Sequence, residues 1–448
     1  MKMERVVRSS FMEILFLIGL ALVLSAAMGL DAPLIVATTR TYGLTDFHYT
    51  LYYIVPFTVI AGAASFLGGY SSDRHARKAV ALVCLAAGCA GLAGVGLTYY
   101  CKWPFALASA LRALSVAGFA GAVPPTWSMI VDLVQEKDRG SIFGLMGIAG
   151  VGGTGLGLLV SGTLASRGIF APYLAMALAG LLMLAAGFFM PEPKRAAGED
   201  QLRELIESGR LSYSAKIDPG SLSQLLRKPI NLWMFGFVVL FTIPSSGLSV
   251  YFITFMMRNH GFNEFEATLY MMGVFAGELF GQVFFGRAGD LWHRKSVRGR
   301  PWTIVISLLL ATPFLIAAFA FQFTGRDLAG LLVFSGLLAV GAFFMVGPNP
   351  LTLTGFCDFN LPEHRGTVLS LNYIGWIIAR ITGYPLCAYL AQTANMDYGK
   401  AFQLLMLVFI PSIIFMFPVL AMINKEIEGK KEMLRIRANA PQNDNATG

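Results

Sequence analysis

Charged residues are scarce in this sequence. Only 13% of its 448 residues are Asp, Glu, Lys or Arg, whereas 56% are hydrophobic. A soluble domain carries about 25% charged residues, so this chain has too few polar side chains to cover a surface in water. It must therefore hold much of its apolar surface in the lipid bilayer, as an integral membrane protein.

Cysteine and recognisable chemical motifs are also scarce. The five cysteines have no metal-ligand or redox spacing, and we interpret them as small core residues. The sequence has no Gly-rich phosphate-binding loop of the kind that holds ATP, so we do not expect transport driven directly by ATP. It offers no convincing nucleophile with a base, no metal-ligand cluster and no paired carboxylates. We therefore expect no enzyme, no cofactor and no metal site.

Long apolar runs fill most of the chain. Crossing a hydrocarbon core of about 30 Å takes about 20 residues, and twelve runs approach or exceed that length. The predicted fold class is an all-α membrane protein with twelve transmembrane helices. The runs are 11–37, 47–70, 78–99, 104–133, 141–166, 170–191, 230–257, 265–286, 301–323, 328–356, 366–391 and 398–423.

The basic residues lie mostly on one side of these spans. Of the 34 lysines and arginines, 26 fall in the termini and in connectors on the same side, and six fall in connectors on the other side. Because cytoplasmic loops carry the excess of Lys and Arg, both termini are predicted to be cytoplasmic. The net charge of +8 then reflects topology rather than nucleic-acid binding. We expect a monomer in the cell (inner or plasma) membrane.

The sequence also repeats itself. Residues 29–48 align with 247–266, and residues 132–145 align with 358–371, at offsets of 218 and 226 residues. Six spans per half give repeats of the same orientation, related by an axis along the membrane normal. The predicted organisation is two pseudo-symmetric six-helix bundles. The N-terminal bundle is 1–191, the cytoplasmic linker 192–229, the C-terminal bundle 230–423 and the cytoplasmic tail 424–448.

One connector is unusually rich in charge and is present twice. GGYSSDRHARK (68–78) follows the second span, and GRAGDLWHRK (286–295) follows the eighth. An aspartate at such a helix end can cap a neighbouring helix N-terminus, and the arginines can bind carboxylates or carbonyls. We interpret the repeated positions as a conformational latch, the alternative being basic residues that only set topology. The latch residues are Gly69, Asp73, Arg74, Arg77 and Lys78, their counterparts Gly286, Asp290, Arg294 and Lys295, and the repeated pair Arg139 and Arg365.

The connector resembles the signature of the major facilitator superfamily, in which Gly, three residues, Asp, Arg, two residues and Arg-Lys follow one another. Residues 69–78 fit this pattern, and residues 286–295 fit it with Leu291 in place of the first arginine. The stretch 112–134 is similar to the spinster-type and drug-exporter branches, although the glycine-rich fifth span has Leu158 where the antiporter motif has proline. The resemblance implies transport by alternating access, with spans 1, 4, 7 and 10 around a central cavity and spans 2, 5, 8 and 11 at the interface.

Four ionisable residues fall inside the predicted spans, and none is duplicated by the repeat. A charged group at the centre of a membrane helix costs at least about 2.5 kcal/mol, so such residues are functional candidates. We assign Arg112 and Arg380 to substrate binding, and Asp31 and Glu278 to proton coupling. A buried carboxylate beside an arginine stays ionised until that partner is removed, and it then takes up a proton. The alternative is two structural ion pairs, Asp31 with Arg112 and Glu278 with Arg380.

Prolines and aromatic residues suggest where the cavity wall lies. Pro124 with Pro125, and the stretch 347–355, are expected to kink or unwind spans 4 and 10, which is tolerated where backbone lines a cavity. Tyr251 in span 7 can supply an apolar wall with a polar group, and the alternative is lipid-facing or core packing. Further substrate-binding candidates of this kind in span 11 are Asn372, Tyr373 and Trp376.

These features together predict a secondary active transporter that moves a small organic or amphipathic solute and is coupled to protons. The charges inside the spans allow an organic anion, a zwitterion or an amphipathic molecule. The remaining alternatives are a nontransporting receptor on a transporter fold and a facilitative or sodium-coupled carrier. The expected partners are a small-molecule substrate, protons and the lipid bilayer.

Overall fold

The computed structural model of the protein describes residues 2–31, 34, 38, 41–43, 55–199, 202, 219–262, 264–323, 327–392 and 396–439. Helices dominate these residues, and no strand occurs among them, which confirms the all-α class. Ten of the described helical segments are long and apolar enough to cross a membrane. The second and eighth spans of the fold, which carry more polar and charged residues, complete the twelve.

The described residues of the N-terminal half form six long helices. The first ends at Met28 and is followed by a bend at residues 29–31, and the rest of the first predicted span lies largely outside the described residues. The six helices are α1 (Lys2–Met28), α2 (Val55–Arg74), α3 (Arg77–Tyr100), α4 (Phe105–Asp132), α5 (Arg139–Leu164) and α6 (Phe170–Phe189).

The C-terminal half follows a short amphipathic helix, α7 (Pro219–Arg227), at the end of the linker. Its tenth and twelfth spans are each divided into two helices. The elements are α8 (Pro229–His260), α9 (Glu264–His293), α10 (Gly299–Ala320), α11 (Leu328–Met345), α12 (Pro348–Asp358), α13 (Arg365–Gln392), α14 (Tyr398–Met406) and α15 (Phe409–Asn439).

The predicted proline effects differ between the two spans. Span 10 is interrupted at Val346 and Gly347, just before Pro348 begins α12. By contrast, α4 continues as one helix through Pro124 and Pro125. Pro348 occupies the first turn of a new helix, where its missing N–H is not needed, and this explains why the break falls there.

The halves meet mainly along two helix pairs, α2 with α13 and α5 with α9. Each pair crosses at glycines. A Cβ atom on Gly69 would overlap the carbonyl oxygen of Gly366, and a Cβ atom on Gly286 would overlap that of Gly140. The glycine of each connector is therefore needed for the close approach of two backbones from opposite halves.

Both of these crossings lie toward the end of the bundle where α1 begins and α15 ends, which we call the terminal face. Here α15 continues to Asn439, beyond the predicted end of span 12 at residue 423. Leu434 of this extension is buried against the linker residues Ala196 and Leu202. The described part of the linker thus packs across the terminal face, whereas residues 203–218 lie outside the described residues.

Candidate functional site

A cavity of about 490 Å³ lies between the two halves. Its wall is formed by α1, α4 and α5 on one side and by α8, α9, α11, α12 and α13 on the other. Val346, at the interruption of span 10, and Asn349, in the first turn of α12, both belong to this wall. Cavities of this size and position are typical of small-molecule sites between repeated helix bundles.

Glu278 and Arg380 both face this central cavity. Glu278 and Gln282 lie one helical turn apart on the face of α9 that also carries Phe275. The cavity-facing side of α9 therefore changes from apolar at Phe275 to polar at Glu278 and Gln282. No ion pair joins Glu278 to Arg380 within the described residues, although both side chains are described. The predicted pairing of these two residues is therefore not present in this conformation.

Aromatic side chains from both halves meet in the cavity. Trp127 of α4 and Trp376 of α13 pack edge to face, with ring centroids 5.9 Å apart. Tyr373, one turn before Trp376, lies 6.2 Å from it by ring centroid. Both span-11 aromatic candidates thus line the cavity, and such edge-to-face pairs are worth about 0.5–1.5 kcal/mol beyond the area they bury.

Asp31 and Arg112 form a charge cluster inside the N-terminal half. The Arg112 Nη2 donates to the Asp31 carboxylate at 2.7 Å and to the Ala27 carbonyl at 3.0 Å. The Tyr173 hydroxyl donates to the other carboxylate oxygen at 2.8 Å, and Arg112 Nη1 donates to the Ser115 hydroxyl at 3.1 Å. Arg112 is completely buried, and the central cavity is lined by other residues. The structure therefore places Arg112 away from the position expected of a substrate ligand.

Two further predicted substrate residues also lie off the cavity. Tyr251 stacks on Tyr398 with ring centroids 5.7 Å apart. It lies nearer the C-terminal end of α8 than the residues of this helix that line the cavity. Asn372 is completely buried on α13, and neither of its side-chain polar atoms has a hydrogen-bond partner. The sequence places both residues in membrane-spanning helices, but it could not show which side of each helix faces the cavity.

The two connector aspartates each cap a helix of the opposite half. Asp73 accepts hydrogen bonds from the N–H groups of Gly366 and Thr367, both at 2.8 Å, at the start of α13. Asp290 accepts hydrogen bonds from the N–H groups of Gly140 and Ser141, at 2.9 and 2.6 Å, at the start of α5. The first turn of a helix carries unpaired N–H groups and a positive partial charge, so each carboxylate satisfies its partner helix.

Two basic residues of the first connector, Arg77 and Lys78, bind to the N-terminal half and to the start of the linker. Arg77 is buried and pairs with Asp132 at the end of α4. It also donates to the Pro193 carbonyl at 3.2 Å. Lys78 donates to the Phe188 carbonyl at the end of α6, at 3.0 Å.

The second copy is arranged differently. Arg294 pairs with Asp138 at the exposed surface, and the side chain of Lys295 is exposed. In the first connector, the side chain of Arg74 is exposed as well. The counterpart of Asp132 is Asp358, whose buried partner is Arg300 at 2.6 Å. Arg300 is thus a functional candidate that sequence reasoning missed, because it lies outside the repeated spacing at the beginning of α10.

Charge pairs also join the halves. Arg365 of α13 pairs with Asp132 of α4, and Arg139 of α5 lies 3.6 Å from Asp358 of α12. These two contacts are related by the sequence repeat, as are the two helix caps. All four side chains are buried, so separation of the halves at the terminal face would remove one ion-pair partner from each of them. Asp132 and Asp358 would keep Arg77 and Arg300 of their own halves.

A linker carboxylate occupies the centre of this charge network. Glu199 is completely buried, accepts a hydrogen bond from Arg139 at 2.6 Å, and pairs with Arg365 and with Lys430 at 3.1 Å. It therefore contacts both halves and the α15 extension. We name Asp132, Arg139, Glu199, Asp358, Arg365 and Lys430 the terminal-face network.

Arg195 holds the same part of the linker against the first connector. Its guanidinium donates to the carbonyls of Ser72 and Asp73 at 2.8 and 2.9 Å, at the end of α2. Burial lowers the pKa of Arg195, and the neighbouring Arg77 cation acts in the same direction. An arginine remains charged at physiological pH even so, and a cation at a helix C-terminus is stabilised by the helix dipole.

Groups of His, Cys, Asp and Glu that could hold a metal ion are not found in the described part of the chain. The cysteines there are free, with Cys89, Cys357 and Cys387 buried and Cys101 exposed.

Comparison with known proteins gives a consistent result. The sequence pattern of the Major Facilitator Superfamily matches residues 14–263 and 234–440. The bacillibactin exporter of Bacillus subtilis is 31% identical over 164 residues, which is 36% of this chain and 40% of the exporter. The chain thus aligns with less than half the length of that relative.

Solved transporter structures share the fold over almost the whole chain. The human organic anion transporter MFSD10 superimposes with a TM-score of 0.66 at 20% identity, covering 90% of this chain and 99% of that one. FucP, the E. coli fucose:proton symporter, superimposes in its outward conformation with a TM-score of 0.69 at 15% identity, covering 91% of this chain and 98% of that one. Identities this low establish the fold alone.

Proposed function

This chain belongs to the major facilitator superfamily, and from that premise we propose that it is a proton-coupled secondary transporter that moves a small organic or amphipathic solute by alternating access. As a member of this superfamily it is a membrane transporter and not an enzyme. The identity of the solute, the coupling ion and the mechanism belong to the proposal. The single observation that carries it is a cavity between the halves, with polar contacts that join the halves at the terminal face.

Alternating access requires contacts that close one end of the interface and can be exchanged for others. The caps formed by Asp73 and Asp290, and the pairs of the terminal-face network, are polar contacts between halves. Polar contacts can be replaced by water when the halves separate, whereas a continuous apolar interface would be much more costly to expose. This chemistry supports a rocking movement about the central cavity.

Proton coupling is supported by the Asp31 cluster. The Asp31 carboxylate is held by Arg112 and Tyr173. A carboxylate in an apolar interior generally needs a cation beside it to carry its charge, so separation from the cation would favour uptake of a proton. Ala27, whose carbonyl also binds Arg112, belongs to α1, which lines the cavity through Ser25 and Met28. A movement of α1 with the solute would therefore change the contact between Asp31 and Arg112. Glu278, which lies in the cavity itself, is the other candidate proton carrier.

The charge distribution gives the proposed orientation. The terminal face carries the connectors richest in Lys and Arg, so we assign it to the cytoplasm of a cell membrane. The proposed domain limits are 1–191, 192–229 and 230–423, with 424–448 as a cytoplasmic segment that is helical up to Asn439. The proposed state of assembly is a monomer.

Transport can be separated from sensing by counterflow. The purified protein is screened for ligands by thermal shift against metabolite and drug panels, and a labelled hit is tested in proteoliposomes loaded with the same unlabelled compound. A transporter gives a transient accumulation of label that depends on the protein, and an imposed proton gradient increases net uptake. Binding without counterflow would instead indicate a receptor on a transporter fold, and counterflow without any effect of pH would indicate a facilitative or sodium-coupled carrier.

A further inference from the structure

The central cavity is charged on one wall only. Among its described lining residues, Glu278 and Arg380 are the two that carry charge, and both belong to the C-terminal half. The N-terminal wall is apolar apart from a few hydroxyl groups and the Trp127 indole. Two of those hydroxyls are already used, since Thr126 donates to the Ala122 carbonyl at 2.7 Å and Thr154 donates to the Gly150 carbonyl at 3.0 Å.

The α9 part of the charged wall has the chemistry of a cation site. The Glu278 carboxylate faces the cavity, and Gln282 lies one turn away on the same face. Gln282 is 3% exposed, and its side-chain oxygen has no hydrogen-bond partner. A buried acceptor without a donor costs about 1–3 kcal/mol, so a ligand that donates hydrogen bonds here removes that cost.

The α13 part of the wall has the chemistry of an anion site. Arg380 lies seven residues from Tyr373, so both occupy one face of the helix, and Trp376 lies between them. A guanidinium offers two parallel donors that match a carboxylate, and the Tyr373 hydroxyl can add a third. No ion pair or hydrogen bond engages Arg380 within the described residues.

The two charges are held apart by the helix between them. Both α9 and α13 pack against α8, and Glu278 and Arg380 stand on these two flanking helices. Because the two side chains line one cavity without forming an ion pair in the described structure, a ligand that satisfies both must carry a positive and a negative group at separate positions. The opposite wall, with Phe119, Trp127 and Phe143, requires an apolar or aromatic surface between or beside those groups.

We propose that the transported solute is an amphipathic zwitterion, with an ammonium group at Glu278 and Gln282, a carboxylate at Arg380, and an apolar or aromatic body against the N-terminal wall. This inference rests on the proposed transport function and names the class of its substrate. A solute with only one charge would leave the opposite charge of the cavity unneutralised, which costs affinity in an environment of low dielectric constant.

The charge requirement can be tested with three compounds that share one body. The probes are the dipeptide phenylalanyl-tryptophan, its N-acetyl derivative, which lacks the ammonium group, and its C-terminal amide, which lacks the carboxylate. Binding to the purified full chain is measured by thermal shift and by titration calorimetry. We expect the free dipeptide to bind at least about tenfold more tightly than either derivative, since one lost charge contact corresponds to about that factor.

Two substitutions assign each charge to its residue. In Glu278→Gln the N-acetyl derivative should bind as well as the free dipeptide, and in Arg380→Gln the amide should do so. Matched controls are Glu428→Gln and Arg287→Gln, at exposed residues that do not line the central cavity, and these should keep the wild-type preference. Each variant should lose the preference for the free dipeptide over one derivative and keep the preference over the other derivative. A folding defect would weaken the binding of all three compounds and would not produce this pattern.

Four results would overturn the inference. Equal or tighter binding of either singly charged compound would show that the cavity does not select a zwitterion. Absence of binding of all three at millimolar concentration would exclude this size and charge spacing. An unchanged preference in both cavity variants would place the site elsewhere. Proton-driven uptake of only the N-acetyl derivative would reject the zwitterion and leave the proposed transport function intact.

Discussion

The carboxylate of Asp73 accepts a hydrogen bond of 2.8 Å from the backbone N–H of Gly366, a residue of the opposite half. The same contact is repeated between Asp290 and Gly140 with the halves exchanged. Two helix caps therefore exist only while the halves are together at the terminal face. Each cap combines charge with a helix N-terminus, an interaction worth up to about 2 kcal/mol where it is partly buried.

Removing the charge of either cap should favour separation of the terminal face. We expect Asp73→Asn and Asp290→Asn each to lower transport and to weaken the closed terminal face by about 1–2 kcal/mol, roughly a tenfold change in the ratio of the two states. The less complete second connector suggests a milder effect at Asp290. However, Asp290 also pairs with the buried Arg300 at 2.7 Å, so we expect its substitution to reduce the folded yield more.

The measurement is the distance between two spin labels at the terminal face, one near the C-terminal end of α2 and one near the N-terminal end of α13. Transport is measured on the same variants. Asp327→Asn is a matched control, because Asp327 caps α11 within one half by accepting a hydrogen bond from the Ala329 N–H at 3.1 Å. It should leave the distance distribution unchanged. Wild-type distances and transport in both connector variants would mean that the caps do not hold the terminal face.

The spans and the repeated connector could be predicted because lipid and helix geometry impose regular patterns. A span needs about 20 apolar residues, and a capping aspartate must keep a fixed distance from its glycine. The partners of these residues could not be predicted in the same way. The pairing of Arg112 with Asp31 was an alternative that the sequence left open, and nothing in the spacing of Arg112 decides between that pairing and a ligand. Its contacts with Ala27 and Ser115 had no sequence signal.

The linker illustrates a second limit. Its composition is polar and charged, which is typical of a solvated tether, and the sequence contains several similar acidic residues near Glu199. Only the three-dimensional arrangement brings Glu199 between Arg139, Arg365 and Lys430. Arg300 was missed for a related reason, since the repeat predicts Arg294 at its place and the structure uses a different arginine for Asp358.

Neutralising Glu199 should open the terminal face. Glu199→Gln removes the only carboxylate of the described linker that contacts both Arg139 and Arg365, and loss of one partner from a buried charge pair costs about 3–5 kcal/mol. We expect the spin-label distance across the terminal face to shift to the separated state in most molecules. Glu432→Gln is the control, because Glu432 forms an exposed pair with Arg435 at 3.9 Å, and exposed pairs contribute about 0–1 kcal/mol. If both variants behave alike, the linker is a tether without a gating role.

The two intramembrane arginines should differ in their effects. Arg380→Gln should lower the affinity for the transported solute by about tenfold or more and preserve thermal stability, because Arg380 faces the cavity. Arg112→Gln should destabilise the fold by about 3–5 kcal/mol by leaving Asp31 without its cation, with little change in the affinity of the protein that remains folded. Arg380→Lys should restore affinity only in part, since lysine lacks the two-donor geometry. Equal loss of affinity in both glutamine variants at full stability would place Arg112 in the binding site.

Asp31 is the residue we expect to carry the coupling proton, because its carboxylate contacts Arg112 and Tyr173 inside the N-terminal half, whereas Glu278 faces the solute. Asp31→Asn is fixed in a neutral state, so it should lose accumulation driven by a pH gradient and keep exchange of internal for external solute, which needs no net proton transfer. Tyr173→Phe removes one hydrogen bond to the Asp31 carboxylate and keeps its contact with Arg112, so accumulation should be preserved. Glu278→Gln should instead impair binding and exchange together. Uptake and exchange measured on the same preparations decide between these roles, and intact pH-driven accumulation in both Asp31→Asn and Glu278→Gln would require a different coupling ion or a uniporter.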